Sequence, residues 1–130
     1  MIGLDTGFFV KLAQLNTRAQ DIWEEIVEGN LKACVNVLTF FELKKLSLKG
    51  VLDKDVYVSL EEALGIVCEI LEVDSELAIE AASLSHGLGL ATVDAIIFES
   101  FRKRPCREVY ITDSRWQVYQ GREPKAVILS

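Results

Sequence analysis

The distribution of hydrophobic residues along the chain predicts short strands that alternate with longer helices. Five short runs rich in Val and Ile have the length and composition of buried strands, and they cover residues 2–4, 33–37, 70–73, 109–111 and 126–129. The segments between these runs carry apolar residues at helical spacing. This alternation predicts an α/β protein with three layers, in which helices cover both faces of a central, mainly parallel sheet of about five strands.

Six helices are predicted between the strands. The spacing is clearest in the second helix, where Ala19, Trp23 and Ile26 recur at intervals of three and four residues and Gly29 supplies a stop. Gly65 and the run 66–71 leave the boundary between the fourth helix and the third strand open. The other helices are predicted around residues 8–12, from Thr39 to before Gly50, over 53–64, from a cap at Ser75 to the HGLGLA segment at 86–91, and from Thr92 to Arg104, where Pro105 breaks the helix.

The composition is that of a folded protein. The chain has 130 residues, 50% of them hydrophobic and 26% charged, so we expect one domain over residues 1–130 with a core of its own. Three widely separated cysteines and a single histidine support neither a disulfide framework nor a structural zinc site. No apolar stretch approaches the roughly 20 residues of a membrane span, and no secretion signal is recognised. These features predict a cytoplasmic protein that does not enter a membrane.

The formal net charge of −6 argues against a protein that coats nucleic acid through a broadly positive surface. A local basic rim stays open, because basic residues cluster in two segments. The first cluster is Lys44, Lys45 and Lys49, and the second is Arg102, Lys103, Arg104 and Arg107. A solvated helix face explains each cluster equally well.

Four carboxylates occupy positions at which an α/β sheet collects functional side chains. Asp5 directly follows the first predicted strand, Asp113 comes shortly after the fourth, and Glu42 and Asp94 fall in predicted first turns of helices. Residues beyond the carboxyl ends of parallel strands gather where the strand order reverses, although Asp94 follows no strand and its convergence depends on the direction of its helix. A group of carboxylates raises its own pKa values unless a cation neutralises it, and Mg²⁺ or Mn²⁺ prefers such oxygen ligands.

Helix capping is the alternative explanation for each acid taken alone. Asp5 and Asp113 have the placement of N-caps, the TFFE segment at 39–42 fits a capping box, and Asp94 suits the dipole of a first helical turn. Capping does not explain why the flanking segments are so apolar. The joint pattern therefore favours a functional site over four separate caps.

Four short motifs surround these acids and occur in a fixed order along the chain. They read IGLDTGFF, LTFFELKKL, TVDAIIF and YITDSRW. Together they resemble the PIN domain family, especially the small VapC-type ribonuclease toxins and their archaeal relatives, over essentially the whole chain. The resemblance implies a PIN-like α/β/α fold and cleavage of RNA with Mg²⁺ or Mn²⁺. It implies a catalytic site made of Asp5, Glu42, Asp94 and Asp113, with Asp5, Asp94 and Asp113 as metal ligands.

The fourth motif departs from the family pattern. Family members commonly have T-x-D, sometimes followed two residues later by another acid, whereas Thr112 adjoins Asp113 directly and Arg115 occupies the later position. The departure implies that a second metal ion, if one binds, is held weakly, and it leaves Arg115 as a candidate contact for substrate phosphate. The hydroxyl of Thr112 or Ser114 is expected to hold a carboxylate or a water.

We therefore expect a metal-dependent endoribonuclease that hydrolyses single-stranded or structured RNA. The VapC resemblance implies the toxin of a toxin–antitoxin pair, with a small antitoxin as partner, and the apolar first two helices suggest a homodimer. The alternative is a PIN-like module that binds RNA or protein without cleaving. A phosphatase of the aspartyl-phosphate type would need an acid two residues after Asp5, and Gly7 occupies that position.

Overall fold

The computed structural model describes residues 1–104, 106–113, 119 and 124–130. Within these residues it contains five strands and six helices. In chain order they are β1 (Ile2–Leu4), α1 (Thr6–Ala13), α2 (Thr17–Val27), β2 (Ala33–Asn36), α3 (Val37–Leu48), α4 (Lys54–Val67), β3 (Cys68–Leu71), α5 (Ser75–Leu88), α6 (Thr92–Lys103), β4 (Glu108–Ile111) and β5 (Lys125–Ile128).

The five strands form one sheet in the order β3-β2-β1-β4-β5, and every pair of neighbours is parallel. The first strand lies at the centre, where Gly3 is level with Cys34 of β2 on one side and with Val109 of β4 on the other. The chain builds the sheet outward from β1 to β3 and then returns to place β4 on the opposite side. The strand order therefore reverses between β1 and β4, which is where open α/β sheets bind their ligands.

Two hydrophobic clusters fill the spaces on the two faces of the sheet. On one face α1 to α4 contribute Phe8, Phe9, Leu43 and Leu64, among others, and these pack with Ile2 and Leu4 of β1 and Val35 of β2. On the other face α6 contributes Ile97, Phe98 and Phe101, which pack with Cys34, Val109 and Ile111. The predicted three-layer α/β/α fold is confirmed, and its sheet is parallel throughout the described strands.

Gly3 allows α6 to lie directly on the central strand. A Cβ atom at this position would come within 2.7 Å of the Phe101 ring, closer than real Cβ atoms approach. Phe101 is fully buried there. The missing side chain thus fixes the distance between α6 and β1, and with it the height of α6 above the sheet.

The start of the third helix differs from the prediction. Helix α3 begins at Val37 rather than Thr39, because the side chain of Asn36 caps it by accepting a hydrogen bond of 2.8 Å from the Leu38 N–H. Asn36 was assigned to the interior of the second strand. Glu42 consequently lies in the second turn of α3, and its predicted place in the first turn is wrong.

Two other boundaries differ in the middle of the chain. Helix α4 continues to Val67, past the predicted end at Leu64, so β3 covers Cys68–Leu71 instead of residues 70–73. Helix α5 is capped by Asp74, which accepts a 2.8 Å hydrogen bond from the Leu77 N–H, and not by Ser75. The first difference falls in a run that is apolar apart from Glu69, and the second falls where two capping residues adjoin.

Among the described residues, no single helix has both the length and the apolar character to cross a membrane. Helices α5 and α6 taken together meet those two criteria, although a bend of 115° separates them. The prediction of one domain over residues 1–130 stays a prediction, as does a cytoplasmic location.

Candidate active site

Asp5 lies at the junction of β1 and α1 and caps the helix. Its Oδ1 atom accepts a hydrogen bond of 2.9 Å from the Phe8 N–H, and the backbone N–H of Thr112 also donates to its carboxylate. The backbone N–H of Asp5 in turn donates to the Tyr110 carbonyl at 3.2 Å. The capping explanation is therefore correct for Asp5, and the same contacts hold its carboxylate at the carboxyl ends of β1 and β4.

A cavity of about 200 Å³ opens at this end of the sheet, where the strand order reverses. Its polar wall includes all four carboxylates that the sequence singled out, Asp5, Glu42, Asp94 and Asp113. Its apolar floor consists of core side chains, including Ile97, Phe98 and Ile111. The structure thus brings together residues that lie up to 108 positions apart, but their catalytic role stays a prediction.

The acids in the cavity affect one another electrostatically. The pKa of Asp5 is raised to about 7, mainly by burial among protein atoms. The carboxylates of Asp94 and Glu42 contribute to this rise, and the N–H groups of Phe8 and Thr112 oppose it. Burial also raises the pKa of Glu42, with Asp94 adding to the shift while Thr6 and Lys45 oppose it. Three of the four acids are therefore close enough to share one negative field.

Thr6 and Thr39 support Glu42, and sequence reasoning gave neither of them a role in the site. The Thr6 hydroxyl lies 2.6 Å from Glu42 Oε1 and 3.3 Å from the Thr39 hydroxyl, which is fully buried. The predicted capping box of Thr39 and Glu42 is wrong, because Asn36 caps α3 and Glu42 points to α1 instead. The LDT string contains Thr6, but only the fold reveals a partner 36 residues away.

Gly7 makes room for Thr112 against the first turn of α1. A Cβ atom at Gly7 would overlap the Thr112 hydroxyl oxygen, so no larger residue fits without a shift of one of the two segments. Thr112 also lines the acidic cavity and donates its backbone N–H to Asp5. Its predicted supporting position is therefore next to the acids, and a specific role for its hydroxyl stays a prediction.

Asp94 lies in the first turn of α6, and Ala91 precedes the helix without a side-chain cap. This turn points Asp94 into the cavity that Asp5 and Asp113 also line. Asp94 follows no strand, so its predicted place beside the other acids requires that α6 begins at this edge of the sheet. The structure shows that α6 does begin there. Ser114, Arg115 and Trp116 lie outside the described residues, as does Pro105.

Most of the second basic cluster is engaged in ion pairs away from the cavity. The pairs are Arg102 with Glu99 at 2.9 Å, Lys103 with Glu76 at 3.3 Å and Glu80 at 3.4 Å, and Arg104 with Glu69 at 2.9 Å. In the first cluster Lys44 lies over the Tyr57 ring, 5.1 Å from its centroid. Lys45 is different, because its charge reaches Glu42. Lys45 is thus a described member of the two clusters whose charge acts on one of the acids.

The donors in the cavity suit a hard divalent ion. All four acids are carboxylates that repel one another, and a bound cation would neutralise their charge. Within the described part of the chain, however, no three Asp, Glu, His or Cys side chains lie close enough together to coordinate an ion directly. Mg²⁺ commonly retains several waters and binds through one or two carboxylates. The residues fit such an ion through one or two direct contacts with the others bridged by water.

A parallel sheet with helices on both faces and carboxylates at its switch point places the chain among the α/β proteins that bind ligands at the carboxyl ends of their strands. The sequence model of the PIN domain family matches residues 2–121, so the chain belongs to the PIN domain family, as its motifs predicted. Members of this family are in general nucleases, which supports a hydrolase.

Comparison with solved structures supports the fold independently of the sequence. The chain is similar to one from a toxin–antitoxin complex of Klebsiella pneumoniae, with a TM-score of 0.75 and 16% sequence identity over 98% of this chain and 96% of that one. At such low identity the likeness concerns the fold. No protein with a curated description matches the sequence.

Proposed function

We propose that this protein is an endoribonuclease that depends on Mg²⁺ or Mn²⁺. The observation that carries the proposal is the presence of Asp5, Glu42, Asp94 and Asp113 around one cavity at the switch point of the sheet. Membership of a family of nucleases supports the reaction class. The raised pKa of Asp5 supports a cation as ligand, because a positive ion there would restore the carboxylate to its ionised form.

Each acid has its own part in the proposed reaction. Asp5 and Asp94 are the principal metal ligands, Asp113 is a further ligand, and Glu42 orients a ligand or a water through the position that Thr6 gives it. When bound, the ion lowers the pKa of the attacking water and neutralises charge on the scissile phosphate. The apolar floor of the cavity limits the water that reaches the acids, which strengthens their interactions with charge.

The substrate proposed is RNA in single-stranded or locally unpaired segments. A cavity of about 200 Å³ accepts a phosphate and adjoining atoms but not a duplex, so the backbone must be free to bend toward the acids. The net charge of −6 also favours recognition at one site over broad coating of a nucleic acid.

We further propose that the protein is a VapC-type toxin with a small antitoxin as partner. The similarity to a chain from a toxin–antitoxin complex supports such a partner. An antitoxin that presents an Arg side chain to the cavity would form charge-assisted hydrogen bonds with the acids and displace the metal. Exposed apolar side chains near the first two helices, Leu15 at 72% and Val27 at 56%, support the proposal of a homodimer.

A Mn²⁺ titration followed by thermal denaturation and by cleavage of a fluorescent single-stranded RNA tests the proposed enzyme. We expect Mn²⁺ to raise the melting temperature and to be required for cleavage, and both effects to disappear in Asp5→Asn and Asp94→Asn. Asp21→Asn is the matched control, because Asp21 is exposed on α2. Cleavage that survives EDTA, or equal Mn²⁺ stabilisation in the site variants, would remove the proposal.

The second candidate is a PIN-like module that binds RNA or protein without cleaving. The observation that favours it is the lack, among the described residues, of three side chains ready to hold an ion. In that case RNA binding would persist in EDTA, and no product would form at any Mn²⁺ concentration. Binding and cleavage measured on the same RNA separate the two candidates.

A further inference from the structure

Two buried thiols lie together on the face of the sheet that α6 covers. The Sγ atoms of Cys34, in β2, and Cys106, between α6 and β4, are 3.2 Å apart, and both side chains are at most 2% exposed. We propose that Cys34 and Cys106 form a reversible intramolecular disulfide when the protein meets a hydroperoxide. The acidic cavity and its proposed chemistry do not involve either residue.

The backbone around the pair limits the movement that bond formation requires. A disulfide has an S–S length of about 2.04 Å, so the two sulfur atoms need to approach by only about 1 Å. Cys34 is held in the parallel ladder opposite Gly3, and the Cys106 N–H donates to the Phe101 carbonyl at 3.3 Å. Small rotations of the two side chains can therefore close the gap while the strands stay in place.

The two thiols have different environments, which gives each a part in the reaction. The contact with the Cys34 thiol lowers the pKa of Cys106, burial opposes the shift, and the N-terminal ammonium and Arg104 lower the pKa further. The same contact and burial raise the pKa of Cys34. Cys106 is thus the sulfur that reaches the thiolate form more readily, and the thiolate is the nucleophile.

The reaction balances with the hydroperoxide as oxidant. The Cys106 thiolate attacks one peroxide oxygen, the O–O bond breaks, and the leaving hydroxide takes a proton to become water, which leaves a sulfenic acid on Cys106. Cys34 then attacks the Cys106 sulfur, an S–S bond forms, the S–O bond breaks, and the Cys34 proton joins the departing hydroxide as a second water. Two thiols are oxidised to one disulfide, and one hydrogen peroxide is reduced to two waters.

The bond would join segments that lie far apart in sequence. Cys34 and Cys106 are separated by 72 residues. The closed loop would contain α3, α4, β3, α5 and α6. Long loops gain the most from a cross-link in the chain-entropy account, so we expect oxidation to raise the melting temperature by roughly 10 °C. The third cysteine, Cys68, is buried on β3 and belongs to the cluster on the opposite face.

Peptide mapping of the full chain before and after hydrogen peroxide tests the proposal. We expect the number of thiols that can be alkylated in denaturant to fall from three to one, and a peptide pair joining Cys34 to Cys106 to appear 2 Da lighter than its separate parts. Dithiothreitol should restore three thiols and the original melting temperature.

Cysteine variants provide the controls. Cys68→Ala should still form the disulfide and show the thermal shift, whereas Cys34→Ala and Cys106→Ala should lose both. Three free thiols after peroxide, a sulfinic acid on Cys106 without a cross-link, or disulfides that involve Cys68 or a second chain would each overturn the proposal. The mapping of the unmodified chain decides the matter even where a variant does not fold.

Discussion

At the scale of single residues, Asp5 combines a favourable cap with an unfavourable charge. Its carboxylate satisfies the Phe8 and Thr112 N–H groups, yet burial and two neighbouring acids raise its pKa to about 7. The neutral form is thus favoured in the folded protein and the charged form in the unfolded chain, whose pKa is close to 3.9. At pH values between about 4 and 7, the folded protein therefore keeps a proton on Asp5 that the unfolded chain has lost.

This difference predicts how stability depends on pH in the absence of metal. The contribution of neutral Asp5 to the free energy of unfolding is complete below about pH 4, decreases as the pH rises, and is lost above about pH 7. The loss is at most about 4 kcal/mol, and solvent reduces it because Asp5 is only half-buried. Asp5→Asn does not titrate and keeps an acceptor for the cap. Urea unfolding of both proteins in EDTA should show the variant gaining about 1–3 kcal/mol on the wild type between pH 4 and pH 8. A gap independent of pH would contradict this.

Thr6 allows a second prediction at this scale. Thr6→Val keeps the shape of the side chain but removes the donor to Glu42 Oε1, and a hydrogen bond to a charged group contributes about 1.5–3 kcal/mol. We expect kcat/KM for RNA cleavage to fall about 10- to 100-fold. Thr6→Ser retains the hydroxyl and should stay within about threefold of the wild type. Equal loss in both variants would show that Thr6 acts through packing instead.

Single residues also mark the limit of what the sequence could predict about the site. The four acids could be found because each stands beside a predicted strand or helix start, within motifs that resemble a family. The contact between Thr6 and Glu42 could not, because it depends on how α1 and α3 pack. Glu42 was also placed one turn too early, since Asn36 reads equally well as a strand residue and as a cap.

At the scale of secondary structure elements, the first turn of α1 and the end of β4 fit together through Gly7 and Thr112. Gly7→Ala should destabilise the protein by about 1–3 kcal/mol, because its methyl group overlaps the Thr112 hydroxyl oxygen. Thr112→Ala removes that atom, so the double variant should recover most of the loss. Urea unfolding of the two single variants and the double variant measures this coupling, and additive losses would contradict the overlap.

The strands were the elements that the sequence predicted best, since all five are present close to the expected positions. Buried parallel strands are short, mainly apolar and rich in branched residues, and this chain offers five such runs. The boundary between α4 and β3 was the least determined. Apart from Glu69, the run from Ile66 to Leu71 is apolar, so it fits the end of a helix and the start of a strand equally well.

At the scale of the whole molecule, the two basic clusters differ in whether their side chains pair with acids away from the cavity or lie near it. Lys103 is paired with Glu76 and Glu80, whereas Lys45 lies within electrostatic reach of Glu42 at the cavity. We expect Lys45→Gln to weaken RNA binding several-fold at low salt and Lys103→Gln to leave it nearly unchanged. Filter binding of a single-stranded RNA at two salt concentrations measures both, and equal effects would show that the cluster of Lys103 also contacts RNA.

The convergence of the acids is a property of the whole fold. The sequence predicts it only after the order and direction of the strands have been inferred. Once a parallel sheet is accepted, Asp5 and Asp113 must lie at the same edge. Asp94 joins them because α6 packs on β1 over Gly3 and starts at that edge.

The order of the strands also has a consequence during protein synthesis. β1 is synthesised before the other described strands, but its neighbour β4 comes much later in the chain, and Asp113 follows Asp5 by 108 residues. A nascent or prematurely terminated chain that stops just before β4 has three of the four acids and a central strand that is paired on one side only. On the proposed function, the polypeptide would therefore become a nuclease only after β4 and Asp113 have been added.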